Sequence, residues 1–155
     1  MYARVVNRLS ATRFGSWIVK HVASRIDPVL FRASGGRFTS TGRPTLPMLA
    51  MTTTGRRSGR PRTVQLAYER DGDDYLVVAS AMGAEHHPAW RYNLEAAGRA
   101  TVQLRGEVRE MTASRLTDEE KAEAWPRIKA AIPQMATYEQ RTERNIAVFR
   151  LTPVD

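Results

Sequence analysis

The sequence predicts a single α+β domain in which about six short strands close into a small antiparallel barrel with flanking helices. Three observations carry this reading. Short apolar strand patterns follow one another across tight turns, which favours hairpins over a parallel sheet. Helical patterns stand between and after these hairpins. The Gly-x-Gly-x-x-Gly turn and the Gly-x-x-x-x-Gly-Lys-Ser/Thr loop are both absent, which argues against a Rossmann dinucleotide site and a P-loop nucleotidase. A chain of 155 residues has the size of one domain, able to bury a core without disulfide or metal support.

Residues 1–32 read as a basic amphipathic helix. Phe14, Ile18, Val22 and Ile26 recur every fourth position with Trp17 and Val29 nearby, while Arg4, Arg8, Arg13, Lys20 and Arg25 fill other faces. Packing on the domain is the favoured placement, and peripheral contact of residues 2–30 with a membrane the weaker one, since Trp and Lys/Arg on one helix suit a lipid surface. The Arg-rich, acid-poor start also has the composition of an organellar transit peptide. No apolar stretch of about 18 residues could span a bilayer, and no secretory signal pattern is present. Residues 33–45, with Gly35, Gly36, Gly42 and Pro44 among Ser and Thr, read as an irregular link.

The core is expected over residues 46–155. Leu46 to Thr53 and Thr63 to Arg70 pattern as strands, Asp71-Gly72-Asp73-Asp74 as a turn, and Tyr75 to Ala79 as a buried strand. His86 to Ala97 reads as a helix, with Pro88 near its start and Trp90 and Leu94 four apart. Thr101 to Leu104 and Val108 to Ser114 flank Arg105-Gly106 as a second hairpin. Thr117-Asp118-Glu119-Glu120 is a capping box that opens a helix to about Ala131, which Pro133 stops. A short helix around Thr137 to Arg144 and a strand from Ala147 to Leu151 complete the pattern.

Charge narrows the function. Residues 1–62 hold 12 Lys and Arg against Asp27 alone, a balance of +11, whereas residues 63–155 hold 12 against 15, a balance of −3. Such a basic half suits nucleic acid, an anionic membrane surface or an anionic small molecule. No cysteine is present, which removes disulfides, thiolate metal sites and cysteine nucleophiles and agrees with a reducing cytoplasm. Redox chemistry would then come from a bound cofactor.

The basic residues concentrate between two predicted strands. Thr52-Thr53-Thr54-Gly55-Arg56-Arg57-Ser58-Gly59-Arg60-Pro61-Arg62 places four arginines among glycines and hydroxyls with no acid. The guanidinium fork matches a phosphate or carboxylate edge, and Gly55 and Gly59 let backbone N–H groups approach an anion closely. A solvated basic loop is the other reading. No aromatic residues alternate with these arginines, so nucleic acid is not the expected partner. Glu85-His86-His87 lacks further ligands at metal spacing, so no metal site is expected and a polar loop before Pro88 is favoured.

Met51 to Arg62, followed by Arg70-Asp71-Gly72, Val78-Ala79-Ser80, Pro88-Ala89-Trp90 with Asn93-Leu94, and Trp125-Pro126, resembles the deazaflavin-dependent nitroreductase family of actinobacterial oxidoreductases. Order and spacing match over roughly residues 45–153. The resemblance implies a split β-barrel and the reduced deazaflavin coenzyme F420, whose lactyl phosphate and oligoglutamate tail are strongly anionic. By similarity Thr54, Arg56, Arg57, Arg60 and Arg62 hold the phosphate and tail. Ala79 and Ser80 end the strand that faces the ring and the acceptor, and Gly83 and Ala84 lie in the loop along the ring. Trp90 and Asn93 pack or cap that loop, with core packing favoured for Trp90.

Two departures from the family bear on specificity. Relatives often carry Lys-Gly-Gly where this chain has Ala81-Met82-Gly83. Nitroimidazole-activating members place tyrosines where this chain has Ala67, Ile132, Met135 and Tyr138, so the pocket is expected to be more apolar. The implied chemistry is hydride transfer from the reduced deazaflavin to a quinone or activated enone, with Ser80 and Tyr138 as candidate catalytic hydroxyls for the acceptor oxygen. FMN or a tetrapyrrole on the same barrel is the alternative. The expected location is cytoplasmic, with the inner membrane face as the place where the basic arm would act.

Overall fold

The computed structural model describes residues 46–155 together with Ile26, Val29, Leu30, Ala33 and Ser34. Ile26, Val29, Leu30 and Ala33 have helical backbone, and the Ser34 N–H donates to the Leu30 carbonyl at 2.9 Å. The remainder of the basic arm and of the link, including its expected packing or lipid contact, lies outside the described residues. Among the described residues no helix is long and apolar enough to cross a membrane.

Six strands form a closed antiparallel barrel: β1 (Met48–Thr54), β2 (Pro61–Asp71), β3 (Asp74–Val78), β4 (Arg99–Leu104), β5 (Glu107–Arg115) and β6 (Val148–Pro153), in the order β1-β2-β3-β6-β5-β4. Pairing of Met51 with Val102 brings β4 back onto β1 and closes the ring. Closure leaves no unpaired sheet edge among these strands.

Side-chain alternation divides the apolar residues between two cores. Leu49, Met51, Val77, Val102, Met111, Phe149 and Leu151 fill the barrel interior, capped at one end by Trp90 and Leu94. Leu76, Val78 and Val148 face outward and pack against Ile128, Ile132 and Met135. β3 is therefore covered on both faces, which explains the unbroken apolar run Leu76 to Val78, continued by Ala79 just after the strand.

Three helices complete the described chain: α1 (Ala89–Ala97), α2 (Asp118–Ala131) and α3 (Gln134–Gln140). α1 starts later than the expected His86, with Pro88 as its N-cap, because the residue before a proline is pushed out of helical conformation. α2 begins in the expected capping box: Glu120 N–H donates to Thr117 Oγ1 at 3.2 Å and Thr117 N–H to Glu120 Oε2 at 2.8 Å. α3 departs from the expected Thr137–Arg144. It begins directly after Pro133, whose φ of −57° already suits a helix, and ends before Arg141. Residues 142–147 are consequently non-helical and carry Arg144 back towards the barrel.

Candidate active site

The β1–β2 connection is shorter than its composition suggests. Thr53 pairs with Arg62 and Thr54 with Pro61, so the ladder runs to the edge of a six-residue loop, Gly55–Arg60, and Arg62 stands on β2. Pro61 fits as first residue of a strand, since it has no N–H to donate to the ladder. Gly55 N–H donates to the Arg60 carbonyl and Gly59 N–H to the Gly55 carbonyl, each at 2.8 Å. A Cβ on Gly55 would lie 2.6 Å from Ser58 Oγ and 3.2 Å from the Arg60 carbonyl oxygen, so a larger residue there would have to displace the Ser58 hydroxyl from this close turn. From α1, Asn93 Oδ1 accepts the Arg56 N–H at 3.0 Å, and the Tyr92 ring lies 4.8 Å beneath the Arg56 guanidinium.

Loop and helix enclose a basic basin of about 530 Å³ lined by Arg56, Arg57, Arg62, His87, Tyr92 and Asn93. Among the described residues none of the loop arginines is ion-paired with a carboxylate. Arg60 and Thr54 are exposed but do not line this basin.

Pro88 also borders a second concavity, an apolar groove of about 320 Å³. Its walls come from β2 (Ala67), the end of β3 (Val78) with Ser80 just beyond it, α1 (Trp90), and Ile132 with Met135 and Tyr138 of α3. Ser80 is 8% exposed, and its hydroxyl makes no capping bond to the 3-10 turn Ala81–Gly83 that follows. Trp90 is 7% exposed and stands edge-on to Phe149 at 5.9 Å, so it forms barrel core and groove wall at once. Arg141 lies 5.7 Å from the Tyr138 ring centroid.

Behind the groove the chain turns sharply. Ala81 and Met82 take φ of 46° and 56°, a left-handed conformation that costs a side chain about 1–2 kcal/mol per residue. Met82 is 58% exposed at the groove's edge. Gly83, with φ of 76°, is wedged against α3: a Cβ there would lie 2.8 Å from Arg141 Cβ and 3.0 Å from the Tyr138 carbonyl. Ala79, Gly83 and Ala84 therefore form the backbone support of this wall, outside both concavities.

Arg144 organises that support. Its guanidinium donates to the Ala84 carbonyl at 2.7 Å, to the Ala79 carbonyl at 3.0 Å and to the Ser80 carbonyl, and Nη1 lies 3.1 Å from His87 Nδ1. Four contacts on one planar cation fix a segment that is left-handed at three consecutive residues. Burial, with Arg91 nearby, lowers the Arg144 pKa from its ordinary value, and Tyr92 opposes this. Arg144 is absent from the sequence expectations because its partners lie 57 to 65 residues away, with no local spacing to announce them.

His86 and His87 both border the basin, and among the described residues no group of three or more potential metal ligands assembles. Ser80 and Tyr138 share the groove with Ala67, Ile132 and Met135, whereas Arg56, Arg57, Arg62 and Asn93 share the basin.

Residues 23–153 match the family described as F420H(2)-dependent quinone reductase. An F420H(2)-dependent quinone reductase of Mycobacterium tuberculosis is 32% identical over 142 residues, covering 88% of this chain and 95% of the relative. The solved structure of an F420-H2 dependent reductase (FDR-A) is 36% identical with a TM-score of 0.63, covering 68% of this chain and 93% of that one. A further structure, described as a domain-swapped dimer, is 29% identical with a TM-score of 0.65, covering 88% and 97%. By these matches, the chain belongs to the F420H(2)-dependent quinone reductase family.

Proposed function

We propose that this protein transfers a hydride from reduced coenzyme F420 to a conjugated, hydrophobic acceptor of the quinone or activated-enone class. The observation that supports this most strongly is an arginine basin and an apolar groove lying side by side, with Pro88 lining both. That pairing fits a coenzyme with a planar ring at one end and several anionic groups at the other. Three guanidiniums without carboxylate partners among the described residues suit a phosphate and a carboxylated tail.

When bound, the reduced deazaflavin supplies the hydride, and the protein's contribution is binding, orientation and electrostatics. Arg56, Arg57 and Arg62 bind the anionic portion, while Asn93 and Tyr92 hold Arg56 and its loop in place. Arg60 and Thr54, outside the basin, serve the tail where it leaves the protein. Ala67, Ile132 and Met135 keep water from the acceptor, and the clamped turn behind Ser80 keeps the groove wall fixed. Holding reactants in alignment can contribute several kcal/mol, on the order of 7 or more in the most favourable cases. Ser80 and Tyr138 present hydroxyls that hydrogen-bond the acceptor oxygen as negative charge builds on it.

Reduction of nitro compounds is a separate matter. Beside the donors Ser80, Tyr138, Gln65 and Gln134, the groove offers a nitro group mainly apolar contact, from Ala67, Ile132 and Met135 among others. We expect a quinone such as menadione to be reduced with a higher kcat/KM than a nitroimidazole, read by loss of F420H2 absorbance under anaerobic conditions. Faster nitroimidazole turnover would overturn this reading of the groove.

A further inference from the structure

His87 borders the basin half-buried, beside Arg56, Arg57 and Arg62. Its Nδ1 lies 3.1 Å from Arg144 Nη1. A guanidinium only donates, so Nδ1 is the acceptor and carries no proton. In a neutral imidazole the ring proton then resides on Nε2.

The surroundings hold the ring in that state. Arg91, Tyr92 and Glu95 face it from α1, Arg115 from the end of β5 and Arg144 from the segment after α3. Burial, then Arg91, Arg144 and Arg115, push the His87 pKa below its ordinary value, against the opposing pull of Glu95. The ring also stands edge-on to Tyr92, with centroids 6.2 Å apart and planes at 87°. Tyr92 in turn carries the Arg56 guanidinium, so His87 and the arginine loop share one aromatic support.

We propose that His87 is a further binding residue of the basin: a neutral imidazole, its Nδ1 capped by Arg144, that donates Nε2–H to an anionic oxygen of the ligand held by Arg56, Arg57 and Arg62. This rests on assigning the basin to the anionic portion of the reduced deazaflavin. Arginines already supply the charge there, and a further cation among them adds repulsion as well as attraction. A neutral donor adds direction without that repulsion. The Arg144 guanidinium that orients His87 also holds the carbonyls of Ala79 and Ser80, so one cation sets a donor in the basin and the wall of the groove in register.

Two readouts test this. The first needs no coenzyme: long-range 1H–15N correlation of the imidazoles at pH 7 is expected to show His87 with bare Nδ1 and protonated Nε2. Arg144→Lys should release the ring into a mixture of tautomers. A His87 protonated on Nδ1 in the native protein would overturn the proposal. The second is binding of coenzyme F420, followed by quenching of its fluorescence. His87→Phe should weaken binding about ten- to hundredfold, the scale of a hydrogen bond to a charged group, with kcat changed less than affinity. His87→Gln, whose amide retains a donor at similar reach, should recover most of the loss. Wild-type affinity in folded His87→Phe would refute the role of His87 while leaving the basin's assignment intact. Failure of the native protein to bind F420 would remove that assignment and the proposal with it, and the tautomer would then report only how Arg144 orients the ring.

Discussion

Arg57 and Arg60 have the same side chain and occupy the same loop, yet only Arg57 lines the basin. Placement should therefore outweigh composition. Arg57→Ala is expected to weaken F420 binding by about 1.5–3 kcal/mol, the usual scale for a hydrogen bond to a charged group, and Arg60→Ala by clearly less. Equal losses in a fluorescence titration would show that the loop acts only through its summed charge. Gly83 poses the complementary case, a residue whose contribution is the lack of a side chain. A Cβ at that position meets Arg141 and the Tyr138 carbonyl, and its φ of 76° disfavours any side chain. Gly83→Ala should destabilise the protein by about 1–3 kcal/mol and lower turnover, because relief of the clash moves α3 and Tyr138 away from the groove. Unchanged urea unfolding and unchanged kcat would contradict this. At this scale the sequence announced the arginines through their density and spacing. Arg144 went unannounced, since a guanidinium holding carbonyls of another segment leaves no pattern near itself.

Strands and helices were legible where period and punctuation agreed. The capping box at Thr117 and the short apolar run Ala147 to Leu151 that became β6 show this, because their signals lie within a few residues. The boundaries of α1 and α3 shifted towards prolines, whose effect on backbone outweighed the apolar spacing around them. Contacts between elements were less legible. Asp71, read as a turn residue, accepts from Arg127 of α2 at 3.1 Å and from Arg150 of β6 at 2.7 Å, fastening the helix to the barrel. Hydrogen bonds from Arg127 and then Arg150 lower its pKa from the ordinary 3.8, with burial opposing. A carboxyl whose folded pKa is depressed adds stability above its unfolded pKa and loses it as pH falls through 3.8 and below. Asp71→Asn should thus destabilise the protein near neutrality and narrow the difference in urea stability between neutral and acid solution. An identical acid loss in native protein and variant would show that the cluster is merely solvated.

For the whole molecule, closure of six strands places three separated stretches on one rim: the arginine loop, the turn after β3 and the α2–α3 junction. The barrel was legible from its hairpins, whereas the meeting of basin and groove at Pro88 depends on which ends of the strands coincide and emerged only in three dimensions. The polarity of the site follows from this arrangement, with guanidiniums at one end and aliphatic side chains at the other. Such a site should prefer a coenzyme that combines a planar ring with several negative charges over one that has a single phosphate. The most direct test is equilibrium binding of coenzyme F420 against FMN, read by quenching of each coenzyme's fluorescence at low and moderate salt. Tighter binding of F420 at both, with the margin narrowing as salt screens the tail, is the result expected here. FMN binding as well as F420, or better, would contradict it.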